Sequence, residues 1–145
     1  NMVIAIFGES CTGKSTLARA LKERLGGEVY TGKDYLRLAK DEASAEKLFR
    51  EKLASALTGD PAIYVIAEPE HLSLVPAGAV RVLVTAELET IQERFAQRMH
   101  GKLPPPVAVM LERKHGCFDN EAHAYHYISG ETDLGALCGQ IETKR

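Results

Sequence analysis

At 145 residues the chain has room for one domain with one core and too little for a motor or a two-domain metabolic enzyme. Its net charge of −2, with no basic run beyond Lys144-Arg145, excludes an electrostatic footprint for a nucleic-acid backbone or an anionic membrane. Cys11, Cys117 and Cys138 are odd in number and widely spaced, which fits reduced thiols in a cytoplasmic protein better than a disulfide framework.

Met2 to Phe7 is an apolar run of the kind that forms a buried parallel strand, too short and too poor in basic flanks for a secretory leader. Asn1 ahead of it reads as an expression remnant. Gly8-Glu9-Ser10-Cys11-Thr12-Gly13-Lys14-Ser15 follows and fits G-x-x-x-x-G-K-[ST] at every fixed position. Leu17, Ala18, Leu21 and Leu25 then recur at helical spacing, so strand, loop and helix stand in the order a phosphate cradle requires. Gly26-Gly27 ends that helix, and Glu28 to Thr31 predicts a second strand.

Residues 34 to 40 read as helical. After a break at Asp41 to Ser44, a longer helix carries Ala45, Leu48, Phe49, Leu53, Ala56 and Leu57 on one stripe, and Gly59-Asp60-Pro61 stops it. Ala62 to Ala67 predicts a third strand, Glu68 to Pro76 a short connecting segment and Val80 to Thr85 a fourth strand. Leu88, Ile91, Phe95 and Met99 mark an amphipathic helix with Glu93, Arg94, Gln97 and Arg98 on its polar side. Gly101 and the prolines at 104 to 106 break the chain before a short helix from about Val107 to Lys114. A turn at His115 to Asn120, a fifth strand at Ala124 to Ser129 and a last helix capped by Thr132 or Asp133 complete the pattern. Buried strands alternating with helices predict a three-layer α/β/α fold around a five-stranded parallel sheet, with the ligand at the carboxyl ends of the strands.

In the cradle, glycines at 8 and 13 let the backbone curl so that amides point at phosphate, reinforced by the positive end of the helix. Lys14 is expected to reach the β- and γ-phosphates of a nucleoside triphosphate, and Ser15, with Thr16 beside it, to hold Mg²⁺. Cys11 has a setting that can lower a thiol pKa, or is an inert loop residue. His115, Cys117, His123 and His126 lack the spacing of a zinc site.

The whole length resembles the small P-loop kinases, the group of adenylate, guanylate, cytidylate and shikimate kinases. The resemblance rests on the cradle, on Thr31-Gly32-Lys33-Asp34-Tyr35-Leu36-Arg37, on Glu93-Arg94-Phe95-Ala96-Gln97-Arg98, and on Tyr125-His126-Tyr127-Ile128 with Glu131 to Leu134. It implies one P-loop NTPase domain over 1–145, with acceptor-binding helices at 33–58 and a short lid at 99–114. It also implies that Arg94 stacks on the base, that Arg98 touches the phosphates and that Arg113 completes the lid. Asp34, at the end of the second strand, would orient the acceptor or cap a helix; Arg37 would bind an anionic acceptor, and Glu68 would lie near the metal waters. Tyr35 lines the acceptor pocket or packs on the sheet. The third strand ends in Ala67-Glu68-Pro69-Glu70, without the Asp-Gly-x-Pro-Arg sequence that holds the acceptor phosphate in adenylate kinases.

The expected function is an ATP- and Mg²⁺-dependent phosphotransferase acting on a nucleotide or nucleoside-type acceptor, as a monomer or homodimer. The alternatives are a metabolite hydroxyl kinase of the shikimate or gluconate kinase type, or a nucleotide-binding module without transfer activity.

Overall fold

The computed structural model describes residues 1–145. The apolar runs form five strands: β1 (Val3–Phe7), β2 (Glu28–Thr31), β3 (Ala62–Ile66), β4 (Val80–Thr85) and β5 (Tyr125–Ile128). They pair in parallel in the order β2-β3-β1-β4-β5, with β1 opposite β3 from Val3↔Ala62 to Phe7↔Ile66. Five α-helices connect and flank them: α1 (Lys14–Leu25), α2 (Glu42–Ala56), α3 (Leu88–Arg98), α4 (Pro105–Lys114) and α5 (Leu134–Glu142). The result is the α/β/α sandwich that the alternating pattern implies. No helix is long and apolar enough to cross a membrane.

The period-two alternation of the strands splits their side chains between two cores. Val3, Ala5 and Phe7 of β1 join Tyr64 and Ile66 of β3 against Ala45, Phe49, Leu53 and Ala56 of α2. Ile4 and Ile6 join Ile63, Val65, Val82 and Val84 against Leu17, Leu21 and Leu25 of α1 and Leu137, Cys138 and Ile141 of α5. A third, smaller cluster holds α3 and α4 to the cradle through Cys11, Ala86, Ile91 and Leu111. Because both faces of the central strands are covered, the carboxyl edge of the sheet is where a ligand can enter.

Several elements depart from the expected pattern. The helical reading over 34 to 40 resolves into a 3₁₀ helix at Asp34–Leu38, and a second 3₁₀ helix spans Pro69–Leu74. The expected break at Asp41 to Ser44 is instead the start of α2, where the Asp41 carboxylate accepts from the Ser44 amide. Leu48 leaves the buried stripe and is 41% exposed, because α2 overhangs the edge strand β2 and nothing lies beyond that edge. Leu57 lies just past the helix end, packed against the core at its margin. The triple proline does not only break the chain: Pro105 and Pro106 open α4, where the missing N–H groups are not needed. Phe118, in the segment expected to be a turn, is buried against Phe7.

Candidate active site

The cradle connects β1 to α1 and owes its shape to three backbone constraints. Gly8 lies so close to β4 that a Cβ there would overlap the Val84 carbonyl, so this glycine serves close strand packing. Cys11 and Gly13 take positive φ angles of 64° and 108°, reversing the chain twice within three residues. The fully buried Thr12 closes the loop by donating from Oγ1 to the Glu9 carbonyl at 2.7 Å.

Lys14 opens α1, and its ammonium turns back into the loop to donate to the same Glu9 carbonyl at 2.6 Å. The side chain is buried, and burial lowers its pKa from 10.5 to about 8, with the Arg98 charge pushing the same way. An enclosed cation that has lost its water is a receptor for an anion. Ser15 and Thr16 follow it, both exposed on the first turn of α1.

A cleft of about 850 Å³ runs over this loop. On one side Arg94, Gln97 and Arg98 of α3 face Tyr127, Ser129 and Gly130 at the end of β5; on the other lie Thr31 and Gly32 at the end of β2, and Val65 and Ala67 at the end of β3. Arg94 braces the α3 side of the cleft: Nη1 donates to the Cys11 carbonyl at 3.0 Å and Nη2 to Ser129 Oγ at 2.9 Å. Arg98 is exposed and lines the cleft.

No protein-family model matches the chain, and no curated protein matches it in sequence. Solved structures do match it in shape. A gluconokinase from Sinorhizobium meliloti 1021 superposes with a TM-score of 0.63 at 15% identity, covering 99% of this chain and 90% of that one. A shikimate kinase from Acinetobacter baumannii in complex with shikimate gives 0.64 at 15%, covering 98% and 91%. A tunicamycin resistance protein from Deinococcus radiodurans gives 0.64 at 20%, covering 99% and 95%. The chain has the fold of the small P-loop kinases.

Within that fold the expected site residues do not all converge. Ser10, Cys11, Gly13, Lys14, Ser15, Thr16, Arg94 and Arg98 line the cleft of the P-loop. Asp34 and Arg37 stand on the exposed 3₁₀ helix beyond Gly32, outside the lining. Tyr35, on the same turn, is in the core, stacked on Phe49 at an interplanar angle of 14° and edge-on to His71. Glu68 immediately precedes the second 3₁₀ helix without capping it through its side chain, and its Oε1 accepts from Lys114 Nζ at 3.3 Å, away from the lining. Arg113 is exposed at the end of α4 and also outside the cleft.

Other lining residues were not assigned to the site from sequence. Gln97, Tyr127, Ser129 and Gly130 line the cleft between α3 and the end of β5, and Val65 and Ala67 line it beside β3. Tyr64 Oη donates to the Gly32 carbonyl at 2.8 Å, which fixes the turn that borders the cleft. The Glu9 carboxylate points away from the cleft and accepts from His115 Nδ1 at 2.9 Å, a pairing across 106 residues that no local pattern signals.

Proposed function

We propose that the protein is a small-molecule kinase that moves the γ-phosphate of ATP to a hydroxyl of a metabolite. The reading is carried by one observation: the Lys14 ammonium is enclosed in the cradle, at the floor of a cleft that continues past Ser15 to Thr31 and Ala67. Lys14 and the loop amides hold the β- and γ-phosphates, and Arg98 neutralises charge on the transferring group. No set of three His, Cys, Asp or Glu side chains stands ready to bind a metal unaided. Magnesium suits such a site, because it keeps most of its waters and needs only the Ser15 hydroxyl and phosphate oxygens. When bound, it neutralises charge on the β- and γ-phosphates. Transfer is in-line, with no phospho-enzyme, so the chain's task is to position donor and acceptor.

The acceptor end supports a hydroxyl compound. Thr31, Gly32, Val65 and Ala67 offer no cation for a second phosphate, and the structures with this fold include a gluconokinase and a shikimate kinase. Asp34 stands just outside this lining, two residues after Gly32, and its assignment to orienting the acceptor hydroxyl rests on the resemblance of the Thr31–Arg37 segment and on that nearness. A nucleotide acceptor is the second reading, favoured by exposed Arg37, which forms none of the salt bridges of the chain.

ADP release from Mg·ATP, measured with panels of hydroxy acids, sugars and nucleoside monophosphates, tests both. Stimulation by a hydroxy acid or sugar, abolished in Lys14→Ala with the melting temperature retained, is the expected result. Stimulation by nucleoside monophosphates alone moves the assignment to the second reading. Slow ADP release indifferent to every acceptor would overturn transfer in favour of a nucleotide-binding module.

A further inference from the structure

A carboxylate is an unfavourable neighbour for phosphate, yet Glu9 is the second residue of the cradle and its side chain is only 9% exposed. Its partners account for it. Oε1 accepts from His115 Nδ1 at 2.9 Å, and Oε2 accepts from the Gly116 amide at 3.2 Å, both in the turn that leaves α4. The main-chain carbonyl of the same residue receives Lys14 Nζ and Thr12 Oγ1 at 2.6 Å and 2.7 Å. Glu9 is therefore gripped from outside by the α4 turn while its carbonyl holds the cradle's only lysine from within.

No other side chain donates to the Glu9 carboxylate. Lys114 is occupied by Glu68. The Cys117 thiol is pushed up by burial and then by Glu9, and supplies no positive charge. Nor is the Glu9 contact needed merely to keep the helices in place. Arg94 binds the Cys11 carbonyl, and Leu111 shares a buried cluster with Cys11, so α3 and α4 have two other ties to the loop.

We propose that His115 is a positioning residue of the phosphate cradle: it holds the Glu9 carboxylate against the α4 turn, masking its charge from the nucleotide phosphates and fixing the carbonyl on which Lys14 rests. The role concerns how the cradle accepts polyphosphate, and it rests on the kinase reading only for the identity of that polyphosphate.

The test is calorimetric titration of the full chain with Mg·ATP and, separately, with tripolyphosphate, using wild type, H115A, E9Q and the H115A/E9Q double variant, with thermal melts of each. In H115A the carboxylate is unmasked, and affinity is expected to fall on the order of tenfold, more at low ionic strength. Adding E9Q removes the stray charge, so the double variant is expected to recover most of that loss. A purely structural brace gives the opposite: the double variant binds as weakly as H115A or worse, with a lowered melting temperature. That result, or H115A affinity within about twofold of wild type, overturns the proposal, since a carboxylate released from the α4 turn at the second residue of the cradle must be felt by the phosphates held there. Wild type that binds tripolyphosphate but not ATP breaks the kinase reading alone, and the comparison of variants then runs on tripolyphosphate. Wild type that binds neither overturns both.

Discussion

Lys14 is the residue on which the site turns, and its protonation provides a probe that does not depend on catalysis. In the folded, empty cleft its pKa falls to about 8 through burial, whereas in the unfolded chain it stays at 10.5. Between those values the unfolded state binds more protons, so this group makes stability rise with pH across that window. A polyphosphate beside the ammonium acts in the other direction, since an anion favours the charged form. Mg·ATP binding at a pH between the two values is therefore expected to take up a fraction of a proton approaching one, read as a dependence of the calorimetric enthalpy on the ionisation enthalpy of the buffer. Lys14→Met should abolish the dependence. The identity of Lys14 was legible because the motif fixes its spacing, and the same is true of Gly13 and Ser15. Glu9 was legible as part of the motif but not in its role, because its partner His115 reaches it only through the packing of α4 on the cradle. Tyr35 could equally have faced the cleft or the core, and its stacking on Phe49 is decided by where α2 crosses the sheet.

At the scale of the elements, the two kinds of glycine separate the constraints that build the cradle from those that merely permit a helix. Gly8 has no room for a side chain because the β4 carbonyl of Val84 fills that space. Gly8→Ala must push β1 and β4 apart, and overpacking of this kind costs about 1–3 kcal/mol. A loss of that size in urea unfolding is the expected outcome; an unchanged midpoint would show that the strands can part freely. Gly139 in α5 is the contrast. A Cβ there meets only Arg24 Nη1, at an ordinary 3.7 Å, and φ is not positive. Gly139→Ala should gain about 0.5–1 kcal/mol, from lost freedom in the unfolded chain and better helix propensity. The central strands could be read from sequence as continuous apolar runs, buried on both faces, and α1, α2, α3 and α5 because each carries one periodic apolar face. Leu48 could not, since periodicity places it on the stripe of α2 but does not say that the stripe overhangs the sheet edge. Phe118 was missed for the opposite reason: a single aromatic in a polar turn has no period, and only the gap beside Phe7 draws it inward.

Across the whole molecule, stability is unevenly distributed, and the uneven part lies over the cleft. Clusters of 15 and 14 buried residues clamp the sheet from its two faces, whereas α3 and α4 meet the cradle through a cluster of four, with Arg94 and His115 as polar ties. Burial scales with free energy, so the segment from α3 through the turn at Gly116 should open locally at a small fraction of the global unfolding cost. Both polar ties end on cradle residues, Cys11 and Glu9, whose backbone would be held by a bound polyphosphate. Ligand binding and closure of this segment should therefore be linked through the loop, each favouring the other. Amide exchange followed by mass spectrometry gives the test. Peptides from 88–116 are expected to exchange well before those of β1, β3 and α2, and to slow by about tenfold or more with saturating Mg·ATP analogue, the factor that about 1.4 kcal/mol of coupling produces. Protection confined to 8–16, with 88–116 unchanged, would mean that the helices ride on the cradle without sensing its occupant. Arg94→Ala should loosen the coupling of α3, leaving loop protection in place while the protection of α3 is lost and that of α4, still tied through His115 and Leu111, is reduced less.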